Sequence, residues 1–502
     1  MYKLLKNHWP LLLILLFAFI LRIWQLGTQS IWIDESFSWL AIKAIAEKGQ
    51  PLLDSGFMYT RDPAFHYPMA YWYKIVGDSP FWLRLPSTLF SMGSILISYF
   101  LSLRLFKNKW IALIASALMA FGTFEIGWSR QIRMYSQLQF FYILSTYLFI
   151  WFAEKEKRDL GLLIMSFLTG IIAISTHKSA LFIVPTYLII LSIFPIKLNK
   201  LIPVIEFGAL FILLGYFLND GVMLITIQSR IQSFMSECFI IKYLKFLVYE
   251  HTNTLIFTLI GIVTAIKNRN KEIGLLFFLF LIPLLTITCL PPFGLRYIFF
   301  IMPFFFMISA HGIYNLYKYK PKVLTIVLPV IIVLSIFIGE WNLLPKDNYY
   351  LEYDNVQEGL SARDYTPQPN YKEAYQVVID LMDENSIFLV AHAGVHEWYV
   401  NSNNPVYKFD YRHLNNFTVP NQIIRETEEG MIDTYTGVPI IEDLLELKEI
   451  VSGKHGYIIL DHYSTDVRID QEIIDYIKAN YEEIYSSQIG PHKWNRMWVY
   501  EF

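Results

Sequence analysis

Pro10-Leu-Leu-Leu-Ile-Leu-Leu-Phe-Ala-Phe-Ile-Leu21 and, after a polar break, Trp32-Ile33-Asp34-Glu35 decide how this chain is read. The first run is the core of a segment apolar enough to cross a bilayer, and a second such run starts near Leu85. The stretch between them, 28–84, is therefore a loop held at a membrane surface, and two adjacent carboxylates stand near its start. An ionised carboxylate beside low-dielectric material is costly unless it is paired or used. Asp34 is accordingly the candidate catalytic base, with Glu35 as its neighbour. The competing reading is a plain helix start, because acids in a first helical turn complement the helix dipole.

Composition sets the frame around this loop. Of 502 residues, 55% are hydrophobic, 17% aromatic and only 17% charged, against about 25% charged in soluble domains. A net charge of −2 gives no sign of a nucleic-acid partner. Cys238 and Cys289 have no partner at metal-motif spacing and make no disulfide framework. Lys3 and Lys6 before the leucine run resemble a signal peptide, but no small-residue cleavage site follows, so the segment is read as a retained first helix.

Apolar runs recur near 10–27, 85–105, 110–127, 134–153, 160–176, 179–195, 201–218, 250–266, 273–290, 297–315 and 323–340, giving about eleven transmembrane helices. With the N-terminus cytoplasmic, alternate short loops should be rich in Lys and Arg. Five are: Lys107 and Lys109; Lys155, Lys157 and Arg158; Lys197 and Lys200; Lys267, Arg269 and Lys271; Lys318, Lys320 and Lys322. The same rule places the tail, from about Trp341, outside the membrane. The domains expected are thus a membrane part, 1–340, and an extracytoplasmic α/β domain, 341–502. In the latter, Ser386–His392, Gly456–Asp461 and Met497–Phe502 read as strands, and Tyr371–Asp383 and Asp466–Tyr481 as helices. His392, His396 and His462 fit no common metal spacing, and Asn416-Phe-Thr418 is a formal glycosylation sequon.

Cations that break the charge rule point to an anion. Arg130 and Arg133 precede the fourth run, His177 and Lys178 lie in the turn after the fifth, and Arg296 opens the tenth, all at the outer boundary. Their bland reading is snorkelling to lipid phosphates; together they make a candidate phosphate site. Glu125 lies near the same end, and Arg22 is read as snorkelling outward from the first helix. In the 28–84 loop, Phe37, Leu40, Ala41, Ala44 and Ile45 share one face of a short interfacial helix. Asp62-Pro63 then starts a second helix, whose Tyr71-Trp72-Tyr73 supplies interfacial aromatics. Residues 219–249 read as an external loop with an interfacial helix, where Lys242 or Lys245 could meet a lipid headgroup.

These pieces, in order, resemble the GT-C membrane glycosyltransferases of glycosyltransferase family 39 type, which include protein O-mannosyltransferases and lipid A aminoarabinose transferases. The matching stretches are Trp32-Ile33-Asp34-Glu35; Asp62-Pro63; Gly77-Asp-Ser-Pro-Phe-Trp-Leu-Arg84-Leu-Pro-Ser87; Trp128-Ser-Arg-Gln-Ile-Arg133-Met-Tyr135; Thr176-His177; and Leu295-Arg296-Tyr297. They cover about the first 300 residues. The resemblance implies a polytopic α-helical membrane enzyme that takes a sugar from a polyprenyl-phosphate donor at the outer face and hands it, with inversion, to a protein, lipid or glycan acceptor. It implies Asp34 as base with Glu35 beside it, Arg130, Arg133, His177, Lys178 and Arg296 on the donor phosphate, and Asp62, Arg84, Tyr135 and Tyr297 as acceptor-side or supporting residues. A divalent metal is left open, with Glu35 and Asp62 as its candidate ligands. Many relatives carry an acid where this chain has Gln131, which puts in doubt any metal or acceptor contact at that position. The alternative function is a non-enzymatic lipid-linked sugar transporter or flippase, which would also need many spans and outer cations.

Overall fold

Most of the apolar runs become helices in the computed structural model, which describes residues 2–157, 159–194, 196–197, 200–206, 208, 239–289, 294–319, 321–337, 339–345, 369–400, 402–410, 424–428, 430–488 and 496–502. In chain order the first are α1 (Tyr2–Ile23), α2 (Ile33–Lys48), α3 (Pro63–Val76), α4 (Pro80–Phe106), α5 (Lys109–Phe121), α6 (Thr123–Trp128), α7 (Tyr135–Glu154), α8 (Leu160–Thr176) and α9 (Ile183–Ile193). A 3-10 turn, Lys178–Phe182, joins the last two. Helices follow at Ile240–Glu250, Thr252–Asn268, Lys271–Thr288, Met302–Tyr319 and Pro321–Phe337, with a 3-10 segment at Leu295–Ile301. The chain divides into two units: Met1–Leu26, Asp62–Phe65 and Arg84–Tyr349 form the first; Gly27–Arg61, His66–Leu83 and Tyr350–Phe502 form the second.

The first unit is helical with a greasy exterior. On α1, Leu12, Leu13, Leu16, Phe17 and Ile20 are exposed while Ala18 and Leu21 are buried, the surface expected of a helix solvated by lipid. Among the described residues, Pro80–Phe106, Lys271–Thr288 and Leu295–Tyr319 are long and apolar enough to cross a membrane. Ile240–Glu250 with Thr252–Asn268 would make a fourth span, bent by 104°. His8–Ile23, Lys109–Phe121, Leu160–Thr176 and Lys178–Ile193 are shorter apolar helices. Most of the expected span 201–218 and of the expected loop 219–249 lies outside the described residues. The described end of that loop is the helix Ile240–Glu250, which exposes Ile241, Leu244 and Val248 along one side.

Small residues let the helices approach. Ser87, Ser91, Ser94, Ser98 and Ser102 make a buried stripe on α4, and Gly312 and Gly261 face one another where Met302–Tyr319 crosses Thr252–Asn268. Arg22 does not snorkel. It is fully buried, and its guanidinium donates to Ser91 Oγ and to the carbonyls of Ala18, Met119 and Ala120, capping the end of α5. Carbonyls at a helix end lack intrahelical donors, and here a cation supplies them.

The second unit is built on a sheet of order β5-β2-β1-β6-β8-β7. Its strands are β1 (Ile387–Val390), β2 (Val406–Phe409), β5 (Ile440–Ile441), β6 (Gly456–Asp461), β7 (Glu482–Gln488) and β8 (Arg496–Glu501); β3 (Ile424–Thr427) and β4 (Gly430–Asp433) form a separate hairpin. β1 is parallel to β2 and β6, with Leu389 opposite Ile458, and β8 runs antiparallel to β6. Every residue of β1 and β6 is buried, because helices cover both faces. Leu389, Ile458 and Leu460 join Leu447, Ile473 and Ile477 on one side; Phe388, Val390 and Ile459 join Tyr375, Val378 and Val395 on the other. The α/β fold and its Gly456–Asp461 strand are as the sequence predicts. Asn416–Thr418 lies outside the described residues.

The loop expected to belong to the membrane part groups instead, over 27–61 and 66–83, with the α/β domain. Ile33 packs on the core around Tyr375 and Phe388, and the Ile31 amide donates to Tyr399 Oη at 2.9 Å. α2 is therefore not a surface helix: Leu40, Ala41, Ile42, Ala44 and Ile45 are all buried, and Phe37 lies 4.4 Å from the Tyr435 ring. A Cβ on Gly394 would stand 2.9 Å from Ser36 Oγ, so a residue without a side chain admits the helix. Of the aromatics expected on α3, Tyr71 is exposed while Trp72 and Tyr73 are half-buried, and Tyr67 and Ile75 extend the exposed side at four-residue spacing.

Candidate active site

Several residues singled out above meet in the first unit as a row of rings flanked by guanidinium groups. Tyr135 opens α7, and the turn before it is pinned to α4: Ser87 Oγ donates to the Arg133 carbonyl at 3.0 Å and Thr88 Oγ1 to that of Ser129 at 3.1 Å. Tyr135 meets Trp128 edge-on at 5.2 Å and lies 5.8 Å from the His177 ring. His177 in turn stacks on Tyr297 at 6.0 Å and 22°. Arg133 lies over Tyr135 at 5.7 Å and Arg296 over Tyr297 at 5.4 Å, so a cation stands at each end of the row.

Each part is held locally. His177 ends α8 in an extended conformation, and its Nδ1 accepts from the Ser179 amide at 3.2 Å. Lys178, exposed, begins the 3-10 turn that follows. Tyr243 Oη donates to the Gly294 carbonyl at 3.0 Å, fastening the start of the segment that carries Arg296 and Tyr297. One turn along α7 from Tyr135, Gln139 donates to Glu125 Oε2 at 3.1 Å and to the Phe299 carbonyl at 2.8 Å. Glu125 thus sits buried behind the row. Gln137 donates to Thr176 Oγ1 and to the Ala64 carbonyl, both at 2.9 Å, which brings Asp62–Phe65 to the same end of α7. Asp62 itself has φ +53, a left-handed conformation that Asp tolerates better than most residues.

Asp34 and Glu35 lie in the second unit, at the N-terminus of α2. Glu35 is fully buried, and its Oε2 accepts from the Trp32 amide at 3.4 Å, the reach-back of a capping-box acid. Asp34 is only half-buried. The pair therefore divides: Glu35 shapes the helix start, and Asp34 is the carboxylate with solvent access.

A family profile described as dolichyl-phosphate-mannose-protein mannosyltransferase matches residues 60–218. ArnT from Cupriavidus metallidurans, bound to undecaprenyl phosphate, has a similar structure, with a TM-score of 0.61 and 11% identity over 98% of each chain. The archaeal oligosaccharyltransferase AglB from Archaeoglobus fulgidus, in complex with an inhibitory peptide and a dolichol-phosphate, matches with a TM-score of 0.54 and 10% identity over 92% of this chain and 70% of the other. No curated protein sequence matches significantly. The chain is similar in fold to both of these proteins. Like them it is mostly helical with a C-terminal sheet-containing domain, and its long apolar helices suit a membrane.

Some expected site residues have other work in this fold. Arg130 is 2% exposed, and its terminal nitrogens donate to the carbonyls of Leu21, Arg22, Trp24 and Gln25. It caps α1, which removes it from the phosphate set. Arg84 is likewise buried and donates to the Leu26 carbonyl at 3.0 Å. Gln131, where the family resemblance leads one to expect an acid, is buried with its Oε1 unpartnered among the described residues. Among those residues no group of three or more His, Cys, Asp or Glu is placed to hold a metal ion. His392, a histidine of the sheet domain, instead donates from Nε2 to Asp461 Oδ2 at 2.8 Å and accepts at Nδ1 from Arg468 at 2.9 Å. The residue that sequence reasoning missed is Gln137; its only signal was its position two after Tyr135.

Proposed function

We propose that the enzyme transfers a sugar from a polyprenyl-phosphate donor to an acceptor hydroxyl at the outer membrane face, with inversion at the anomeric carbon. The observation that carries this reading is the row Arg133–Tyr135–His177–Tyr297–Arg296. Its cations suit the donor phosphate, joined by Lys178 from the adjoining turn, and stabilise the negative charge that grows on the phosphate as it leaves. Its ring faces offer flat walls. ArnT and AglB, similar in fold, bind undecaprenyl phosphate and dolichol-phosphate, which supports a lipid phosphate here.

In the proposed reaction Asp34 takes the proton of the acceptor hydroxyl. The acceptor oxygen then bonds to the anomeric carbon while the bond from that carbon to the phosphate oxygen breaks, releasing polyprenyl phosphate. A direct displacement inverts the centre. Asp62 supports the acceptor side. The topology that fits is about eleven spans, with the N-terminus cytoplasmic and the sheet domain outside. Protein, lipid and glycan acceptors all satisfy this chemistry.

The test is sugar transfer in detergent from a polyprenyl-phosphate-linked donor. Asp34→Asn should lower the rate about 10²–10⁴-fold while donor binding persists; wild-type transfer by that variant would overturn the base assignment. Mass spectrometry of surface glycoconjugates with and without the protein identifies the sugar and acceptor.

A further inference from the structure

α7 is 20 residues long, so its two ends stand about 30 Å apart. The aromatic row is at its start; a second cluster of cations surrounds its finish. There a cavity of about 570 Å³ is lined by Arg104, Lys107, Lys155 and Lys271 against one carboxylate among the described residues, Glu154. Trp151 and Phe194 supply apolar walls. The separation matches the thickness of a bilayer's hydrocarbon core, so this cavity is no part of the proposed transfer site.

Helix ends commonly attract cations, and that explanation falls short here. The last carbonyls of α7 already have a donor: the buried Lys200 ammonium reaches the Phe152 and Ala153 carbonyls at 3.1 and 3.4 Å. Arg104 pairs with Glu154 at 3.0 Å and Lys155 with Asp159 at 2.6 Å, yet Arg104 Nε is buried without a hydrogen-bond partner among the described residues. Lys107 and Lys271 are exposed and make no ion pair among the described residues. Arg104 lies 4.5 Å from the Trp151 ring centre and Lys271 5.1 Å from that of Phe194, which keeps the charges gathered round the cavity. Like charges held together repel unless an anion joins them.

We propose that this cavity binds a phosphate group, brought by an anionic phospholipid headgroup whose glycerol and chains follow the Trp151 and Phe194 walls. Basic pockets between membrane helices take phosphate headgroups by the same electrostatics, and soluble phosphate shares that chemistry.

Native mass spectrometry of the full chain, with phosphatidylglycerol and phosphatidylcholine offered together, tests the assignment. Wild type should retain phosphatidylglycerol preferentially. Lys107→Gln with Lys271→Gln should lower that preference on the order of thirtyfold. The control pair Lys267→Gln with Lys318→Gln removes the same charge from outside the cavity and should change it little. Both pairs sit on exposed side chains or helix ends, and unchanged sugar transfer verifies folding. Competition with inorganic phosphate separates the sources: retained lipid identifies the headgroup, displaced lipid identifies soluble phosphate, and either supports the site. Equal loss in the two pairs, or none in the first, overturns it.

Discussion

A guanidinium surrounded by backbone carbonyls holds helices together; one laid across a tyrosine ring adds positive charge to an aromatic surface. Arg130 is of the first kind, and Arg133 and Arg296 are of the second. The distinction separates their mutants. Arg130→Ala leaves the carbonyls at the end of α1 without donors, and hydrogen bonds to charged groups contribute about 1.5–3 kcal/mol each. Thermal unfolding in detergent should show a loss of at least about 3 kcal/mol for this variant. Arg296→Ala and Arg133→Ala should weaken donor binding roughly tenfold to a hundredfold, the same free energy spent on a ligand. Donor titration checks this, and unchanged affinity in both would count against the phosphate role of the row.

At the scale of elements, close helix contact is set by what is missing from the side chain. A Cβ at Gly312 would lie 2.0 Å from the Phe257 carbonyl oxygen, and one at Gly261 would lie 2.4 Å from that of Ile308. Backbone cannot yield as a flexible side chain can, so Gly312→Ala should force Met302–Tyr319 and Thr252–Asn268 apart and cost about 3 kcal/mol or more. Gly274, on the neighbouring helix Lys271–Thr288, has nothing within 4 Å of such a Cβ. There Ala should be neutral or stabilise by about 0.5–1 kcal/mol through helix propensity. Unfolding midpoints of the two variants test the pair; a stable Gly312→Ala would mean the helices do not cross as closely as described. α2 shows the same logic from the other side, since its apolar residues find cover against the sheet domain and bring Asp34 with them.

For the molecule as a whole, the sheet domain should be the acid-sensitive part. Burial pushes His392 down to about 4, although Asp461 pulls it the other way, and burial between Tyr375 and Phe388 pushes His396 down to about 3. Both are neutral when folded at pH 7. Unfolded histidine takes its proton near pH 6.5, so below that the unfolded chain binds more protons and stability falls with pH. The loss runs from about pH 6.5 down to about 4 for His392 and to about 3 for His396, at about 1.4 kcal/mol per pH unit for each histidine. Burial raises Asp461, but His392, the Ser464 amide and Arg468 outweigh it and hold the carboxyl at about 2, so its own contribution disappears only between about pH 4 and 2. Hydrogen exchange of β1 and β6 amides in the full chain should show the first loss, and His396→Phe should make it shallower; identical pH dependence would reject the mechanism. By itself, the sequence determined that this is a membrane protein with a terminal α/β domain, because lipid-length apolar runs and the buried strands at 387–390 and 456–461 record solvation locally. It also marked Arg133, Tyr135, His177, Arg296 and Tyr297, which the fold then gathered into one row. Only the tertiary structure decided that α2 is covered by protein rather than lipid, that Glu35 caps while Asp34 stays accessible, and that Arg130 is committed to α1. Periodicity says that a face must be buried without saying against what, and a cation's identity does not reveal which acceptors, such as the Arg22 carbonyl 108 residues before Arg130, the folded chain will bring within reach.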